Sequence, residues 1–261
     1  MEKYIPGLFK FALFPNYNES IKYLAEELAA KEEWDFSGTE KKHAILKNYL
    51  DYTYRQLSQE KKIVYTTNNE YAAFNTGLIT ENLEEIFAFF EKYNKPDRNI
   101  GVPFCFKAFL RISDNHILRN FSPNFPELAN YFEKPELLIF NPKCTLIPDI
   151  DHILEDNKDR FPEHLKRADP AELRRQLIGA IDEIRKKVKT NYKLAIPQEY
   201  KGKIQLLLPL CLTPGSPNPD LALVVHRLDA NTYSARTCLT LRMAYVNARL
   251  IVKPQSEWLK P

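Results

Sequence analysis

The chain has 261 residues, of which 44% are hydrophobic and 27% are charged, a composition that is typical of folded domains and excludes a disordered protein. The net charge is only +3, and 7 Gly against 18 Pro argue against glycine-rich phosphate loops. The longest apolar run is too short to span a membrane, no apolar leader follows Met1, and the four cysteines are scattered. We therefore expect a cytoplasmic protein without a membrane partner.

The first half of the chain mixes helical and strand patterns. Helical spacing of apolar residues predicts helices over 17–33 and about 40–60. Two short β-type runs, 62–66 and 71–75, are joined by a polar turn and predict a hairpin. Thr80, Leu83 and Glu84 are typical of a helix start, so we expect a helix from 80 through 93.

The second half gives clearer signals. A strand is expected over 102–112, whereas the proline-rich stretch 113–170 shows little periodicity. Asp169-Pro170 then opens a helix that is predicted to run to about Tyr192, with aspartate at the cap and proline in the first turn. Strands are expected over 203–212, 221–226 and 233–238, and a closing helix over 240–251. This order predicts the α+β class, as a single domain over 1–261 with a mostly antiparallel sheet packed by helices.

Several familiar chemistries leave no signature in this sequence. It contains no P-loop, dinucleotide-binding glycine fingerprint, paired CxxC, HExxH or GxSxG motif, and its five histidines lack metal-ligand spacing. The sequence therefore names no cofactor and leaves open whether the protein is an enzyme.

Positive charge is concentrated in one region. The stretch 158–203 holds 13 Lys and Arg against 7 Asp and Glu, so it carries +6 and the rest of the chain −3. On the helix predicted there, Arg174, Arg185, Lys189 and Lys193 lie along one flank, where they can contact phosphates. The alternative is that the negative end of the helix dipole favours these cations without any ligand.

The residues that follow this helix bring together polar groups of several kinds. Asn191, Tyr192, Lys193 and Gln198 can bind a nucleotide or an RNA backbone, with one base stacked on Tyr192. In the alternative interpretation Tyr192 fills the core, and the two amides satisfy backbone groups of a turn.

A second candidate segment is Asn75-Thr76-Gly77, at the end of an expected strand and before an expected helix, where backbone N–H groups can face an anion. Ordinary turn chemistry, with Gly77 at positive φ, is the alternative.

Two further groups are weaker candidates. Asp151, His152, Glu155 and Asp156 have i, i+4 spacing, but a short acidic surface turn explains them as well, and we predict no metal site. Asn247 and Arg249 lie on the last helix, where Arg249 needs either a ligand or a structural carboxylate as its partner.

Motifs in a specific order carry a resemblance to a known family. They are Phe74-Asn75-Thr76-Gly77-Leu78, Asp151-His152-Ile153-Leu154, Arg160-Phe161-Pro162, Asn191-Tyr192-Lys193, Ala195-Ile196-Pro197-Gln198, the run 205–212, the strand 221–225, Met243-Ala244-Tyr245 and the ending 247–251. From about residue 24 to 259 the chain resembles the uncharacterised domain-of-unknown-function 3825 family. The resemblance implies an RNA context, because members look like companions of LOTUS-type and cold-shock-type RNA-binding modules. Arg242 and Val246 depart from the pattern, which has an aspartate and an asparagine there.

The leading hypothesis is a domain that binds RNA or a phosphate-bearing small molecule and acts in RNA metabolism. Arg185, Lys189, Lys193 and Arg249 would supply charge, Tyr192 a stacking face, and Asn75, Gln198 and Gln205 hydrogen bonds. An enzyme of phosphate chemistry on RNA ends or nucleotides is the second hypothesis, with Lys193 or His152 as nucleophile or acid/base. The third is a non-catalytic domain that docks an acidic protein. The sequence does not determine the oligomeric state.

Overall fold

A computed structural model describes residues 7–36, 42–94, 101–216, 218–255 and 257–260. Its contacts divide the chain into two compact units, Met1–Tyr131 and Phe132–Pro261. Each unit contains a five-stranded sheet that is antiparallel except for one parallel pair. The α+β class is therefore confirmed, with two mostly antiparallel sheets. The single domain over 1–261 stays a prediction.

The first unit is a sheet with helices on both faces. Its strands are β1 (Ala12–Leu13), β2 (Val64–Tyr65), β3 (Tyr71–Ile79), β4 (Glu85–Lys92) and β5 (Phe104–Arg111), in the spatial order β1-β5-β4-β3-β2. Its helices are α1 (Leu8–Phe11), α2 (Tyr17–Tyr23), α3 (Ala44–Gln59) and α4 (Asn115–Phe121). Phe11 of α1 contacts Tyr54 of α3 and Phe90 of β4 on one face, and Phe87 and Phe89 pack with α4 on the other. The hairpin of β2 and β3 is confirmed.

Two predicted helices of this unit differ in the structure. The helix expected over 17–33 ends earlier, with a π-helical turn at Leu24–Leu28. It does not continue to residue 33, since the amide of Ala30 donates to the Ile79 carbonyl at 2.8 Å and not to a carbonyl of the helix. The predicted start of the next helix near Glu40 lies outside the described residues, and the observed helix begins at Ala44.

The helix predicted over 80–93 is wrong. Thr80 does accept a hydrogen bond from a following amide, but that amide belongs to Glu84, and the Thr80 amide donates back to the Glu84 carbonyl at 2.9 Å. These bonds, with Leu83 at φ 66°, close a hairpin that leads into β4. β4 is a central strand whose residues 86–90 are all buried. Its continuous apolar run therefore packs on both faces of the sheet and does not form one face of a helix.

The second unit has the strands β6 (Thr145–Pro148), β7 (Ile196–Tyr200), β8 (Lys203–Leu210), β9 (Leu221–Arg227) and β10 (Thr232–Leu239). Their spatial order is β6-β10-β9-β8-β7, which makes β7 an edge strand. The strands predicted over 203–212, 221–226 and 233–238 are confirmed, while β6 and β7 are additional to the prediction.

Helices cover both faces of this second sheet. They are α5 (Ile150–Asp156), α6 (Glu163–Lys166), α7 (Pro170–Thr190) and α8 (Leu241–Arg249). The α7 helix is confirmed with its cap, since the Asp169 carboxylate accepts from the amides of Ala171 and Glu172 at 3.1 and 3.0 Å. In the described part of the chain, no helix combines the length and the apolar character that crossing a lipid bilayer requires.

Candidate nucleic-acid interface

Asn75, Thr76 and Gly77 lie inside β3 and form a bulge rather than a turn before a helix. Asn75 and Thr76 are buried, with exposed fractions of 1% and 0%. The Gly77 amide donates to Asn75 Oδ1 at 2.9 Å, and the Leu78 amide donates to Thr76 Oγ1 at 3.2 Å. The amides that were expected to face an anion are thus bonded to side chains of the same segment. The expected anion-facing helix start is wrong, and ligand binding by these three residues stays a prediction.

The last turns of α7 present cations to solvent because its apolar stripe faces the sheet. Leu173, Leu177, Ile181, Ile184 and Val188 belong to one buried core with the sheet residues Leu206, Leu208 and Leu210. On the outer side, Lys186 pairs with Asp182 at 2.7 Å and Lys187 pairs with Glu183. Lys189 and Lys193 are exposed, and in the described part of the chain they make no ion pair.

The chain then runs from α7 into the edge of the sheet. Asn191 Oδ1 accepts from the Lys193 amide at 3.1 Å, which starts a short 3-10 turn, Tyr192–Leu194. Tyr192 is 63% exposed, so the interpretation in which it fills the core is wrong. After β7, Lys201 and Gly202 have φ of 51° and 75° and form a two-residue turn into β8. Tyr200, before this turn, is 51% exposed, and Lys201 Nζ lies 5.2 Å from its ring centroid.

The net charge of 185–203 is strongly positive. Residues 158–184 hold six cations and six anions, so the whole excess of +6 lies in 185–203. The one acid in that range, Glu199, is 7% exposed, and its carboxylate accepts from the Gly202 amide. We call the side chains of this stretch the cationic edge; it comprises Arg185, Lys186, Lys187, Lys189, Lys193, Lys201 and Lys203 with the exposed rings of Tyr192 and Tyr200. Tyr200 and Lys203 are register partners, and strand alternation places their side chains on the face of the sheet that does not contact α7.

Gln198 and Gln205 lie on the opposite face of the sheet from α7. They are register partners in β7 and β8, and Gln198 Nε2 donates to Gln205 Oε1 at 3.0 Å. Side chains alternate along a strand, so Gln205 points away from the α7 core that contains Leu206 and Leu208.

The helix that carries Arg249 belongs to this same opposite face. α8, whose buried residues lie outside the α7 core, packs against β7, β9 and β10. Arg249 is 4% exposed, and Asn247 is half-buried. We expected the α7 cations to converge with Arg249 and the Asn75-Thr76-Gly77 segment around one cavity. The sheet of the second unit lies between the α7 core and the face that carries Arg249, Gln198 and Gln205. Ligand binding by these residues stays a prediction.

The opposite face contains buried polar atoms, one of which belongs to a residue that we did not predict as part of the site, His226. Gln198 Oε1 and His226 Nδ1 are buried, and no hydrogen-bond partner for either lies among the described residues. Leaving such an atom unsatisfied costs about 1–3 kcal/mol. His226 lies in an alternating strand, and its position on this face follows from its pairing with Ser234.

A cleft opens beside the cationic edge. It has a volume of about 150 Å³ and lies between α7, Leu194, the end of β8 and Trp258, whose indole nitrogen donates to the Leu194 carbonyl at 3.1 Å. Ala180, Ile184 and Pro209 line its buried floor, and the exposed pair Glu183–Lys187 lines its rim. Residues 180 to 258 contribute, so no local motif could have predicted it.

One family model matches residues in both units. The family model described as "Domain of unknown function (DUF3825)" matches residues 25–258. The chain belongs to the DUF3825 family. Comparison with curated proteins and with solved structures found no significant match.

In this DUF3825 chain, an ion pair and hydrogen bonds hold the segment around His152 in place. His152 Nδ1 lies 2.6 Å from Asp156 Oδ2, so one ring nitrogen of this weak catalytic candidate already has a carboxylate partner. Asn157 is buried, and its Oδ1 accepts from Arg160 Nη1 at 2.7 Å and from the Cys238 amide at 3.3 Å. These contacts anchor α5 to the end of β10. Among the described residues, no group of three or more His, Cys, Asp or Glu side chains is placed to hold a metal ion.

The two departures from the DUF3825 pattern lie on α8. Arg242 is exposed at the start of the helix, and Val246 is half-buried one turn later. Both lie on the helix that covers the opposite face, so they are separated by the sheet from the α7 core.

Proposed function

We propose that the cationic edge binds single-stranded RNA or another phosphate-bearing nucleotide. The observation that supports this function is that 185–203 holds seven cations and one buried acid, with the exposed rings of Tyr192 and Tyr200 in the same stretch. Two of the seven cations pair with Asp182 and Glu183. Cationic grooves interleaved with aromatic faces are the common way of binding single strands without sequence preference.

Each part of the edge has a physical role in this proposal. Lys189 and Lys193 lie near the end of α7 and supply charge that ion pairs within the described chain do not neutralise. Lysines near phosphates release condensed counterions, which makes affinity fall steeply with salt. Tyr200 is the last residue of β7, and Tyr192 lies four residues before its first residue, Ile196. The five residues of β7 span roughly 16 Å, the reach of a few nucleotides.

The negative end of the α7 dipole also stabilises these lysines, but it does not account for the whole edge. The dipole acts within the last turn of a helix, with a magnitude of about 0.3–1 kcal/mol. Lys201 and Lys203 lie beyond β7, outside that range, and Lys201 lies over the ring of Tyr200. Cations that lie both at a helix end and beyond the following strand are better explained by an extended polyanion than by the helix dipole alone.

A salt titration tests the proposal. A labelled single-stranded RNA of mixed sequence is titrated with the full chain at about 50 and about 200 mM salt. We expect binding at the lower concentration, and a dependence on salt that becomes shallower by roughly one to one and a half units of log–log slope in Lys189→Gln/Lys193→Gln. The matched control is Lys143→Gln/Lys158→Gln, which removes two exposed cations of the same unit outside the cationic edge and should keep the original slope.

Absence of RNA binding at low salt would refute the proposal. An equal loss in both double variants would also contradict it, because binding would then follow net charge rather than this edge. Capture of an acidic protein that RNA does not displace would favour the non-catalytic interaction hypothesis instead.

A further inference from the structure

The cleft beside Trp258 is apolar below and charged above. Ala180 and Ile184 of its floor are 7% and 3% exposed, and Pro209 is also buried. Burial raises the pKa of the Cys211 thiol on its wall, so that the thiol stays neutral near neutral pH. A ligand that enters the cleft therefore meets apolar surface on the floor and wall.

The volume of the cleft sets the size of the group that fits. It measures about 150 Å³. An engineered apolar cavity of about this volume binds benzene, a single six-membered ring. A pyrimidine base has one such ring, so its size matches the cleft more closely than the size of a two-ring purine.

The rim provides a donor and an acceptor side by side. Lys187 and Glu183 are one helical turn apart and form an ion pair at the opening. Their hydrogen bond raises the pKa of Lys187, which keeps the ammonium charged. The edge of a nucleobase also presents donors and acceptors next to each other, and carboxylates and ammonium groups are common partners for them.

The position of the cleft connects it with the phosphate-binding surface. Leu194 lines the cleft and directly follows Lys193, while Lys187 belongs to both the rim and the cationic edge. A nucleotide with its base in the cleft would thus have lysines within reach of its phosphates. We propose that the cleft takes the single-ring base of a pyrimidine nucleotide within RNA bound along the cationic edge. This inference rests on the proposed function, and it adds a preference for pyrimidines that phosphate contacts alone cannot supply.

Tryptophan fluorescence reports directly on the cleft. The chain has two tryptophans, and Trp34→Phe leaves Trp258 as the single reporter. In this background we expect an all-pyrimidine oligonucleotide to quench the emission of Trp258 and to bind about tenfold more tightly than an all-purine one of the same length. An oligonucleotide that carries only abasic sites provides the sugar and phosphate contacts without a base.

Filling the cleft separates base binding from phosphate binding. Ala180→Leu adds bulk to the floor, and Ala171→Leu makes the same substitution at an exposed position of the same helix. We expect Ala180→Leu to abolish the preference for pyrimidines while the abasic oligonucleotide binds as before, and Ala171→Leu to change neither. Circular dichroism of both variants checks that the fold is retained.

The outcomes distinguish this inference from the function on which it rests. RNA binding with equal affinity for pyrimidine, purine and abasic oligonucleotides would overturn the base site and leave the cationic edge standing. Binding of none of them at low salt would remove both. Loss of abasic binding in Ala180→Leu, with its fold retained, would also overturn the base site, because the cleft would then act on the backbone.

Discussion

The Tyr49 hydroxyl donates a hydrogen bond to the Thr76 carbonyl at 2.8 Å and closes the space beside Gly77. A Cβ on Gly77 would collide with that hydroxyl oxygen, and φ at Gly77 is 73°. Gly77→Ala should therefore lower the free energy of unfolding by more than the roughly 1–2 kcal/mol of the backbone strain alone. Tyr49→Phe should cost about 1 kcal/mol, the value of one hydrogen bond. Urea denaturation of both variants measures these costs.

The double variant Tyr49→Phe/Gly77→Ala separates the collision from the strain. Without the hydroxyl, the nearest Tyr49 atom would lie 3.7 Å from the new Cβ. We expect the cost of Gly77→Ala to be smaller in the Tyr49→Phe background than in the original chain. Strictly additive costs would show that the hydroxyl does not restrict Gly77.

A buried amide at Asn157 should contribute substantially to the stability of the second unit. Its oxygen accepts from the Cys238 amide and from Arg160, whose guanidinium also donates to the Cys238 carbonyl at 2.6 Å. Asn157→Ala leaves buried donors unsatisfied and should lower the free energy of unfolding by about 2–3 kcal/mol. The control Asn191→Ala removes an exposed turn contact and should cost under about 1 kcal/mol. Similar losses at both sites in thermal melts would argue against the anchoring role.

The thiol of Cys238 predicts a loss of stability at alkaline pH. Burial raises its pKa from the ordinary value of 9.0 to about 12. Above pH 9.0 the unfolded chain loses this proton while the folded chain keeps it, so the free energy of unfolding falls as pH rises toward 12. One such group contributes about 1.4 kcal/mol per pH unit.

Cys238→Ala should make this dependence on pH shallower. Urea denaturation of the original chain and of the variant in steps between pH 8.5 and 10, roughly the start of this window, compares the two slopes. Tyr17 and Tyr54 have pKa values raised by burial to about 12, and they add a further decline only above their ordinary value of 10.0. Equal slopes below pH 10 in the two proteins would contradict the assignment to Cys238.

The sequence predicted those elements whose signals are local. The α7 helix combines an aspartate cap, a proline in the first turn and a long apolar stripe, and all three act within one segment. β4 was mistaken for a helix because Thr80 can cap either a helix or a hairpin turn, and only the neighbouring strands β3 and β5 decide between them. Local preference is a weak guide where a segment is buried on both sides.

The candidate site was predictable in composition but not in arrangement. The cations of α7 and Tyr192 were identified from the sequence, whereas Gln198 and Gln205 were grouped with them as hydrogen-bonding residues although they lie across the sheet. The turn at Lys201-Gly202 could have shown that the two amides are neighbours, because counting outward from it pairs Gln198 with Gln205. Lys-Gly is a weak hairpin signal compared with Asn-Gly, so the register was not recognised.

The same turn yields a prediction that couples stability with RNA binding. Lys201 has φ of 51° before Gly202 at 75°, a conformation that asparagine adopts more readily than lysine. Lys201→Asn should raise the free energy of unfolding by several tenths of a kcal/mol, and it also removes one cation from the cationic edge. The log–log salt slope of RNA binding should therefore become shallower by about 0.7 while the protein becomes more stable. The control Lys253→Asn removes an exposed cation elsewhere and should change neither quantity. A stabilised Lys201→Asn protein with an unchanged salt slope would show that RNA does not reach this end of the edge.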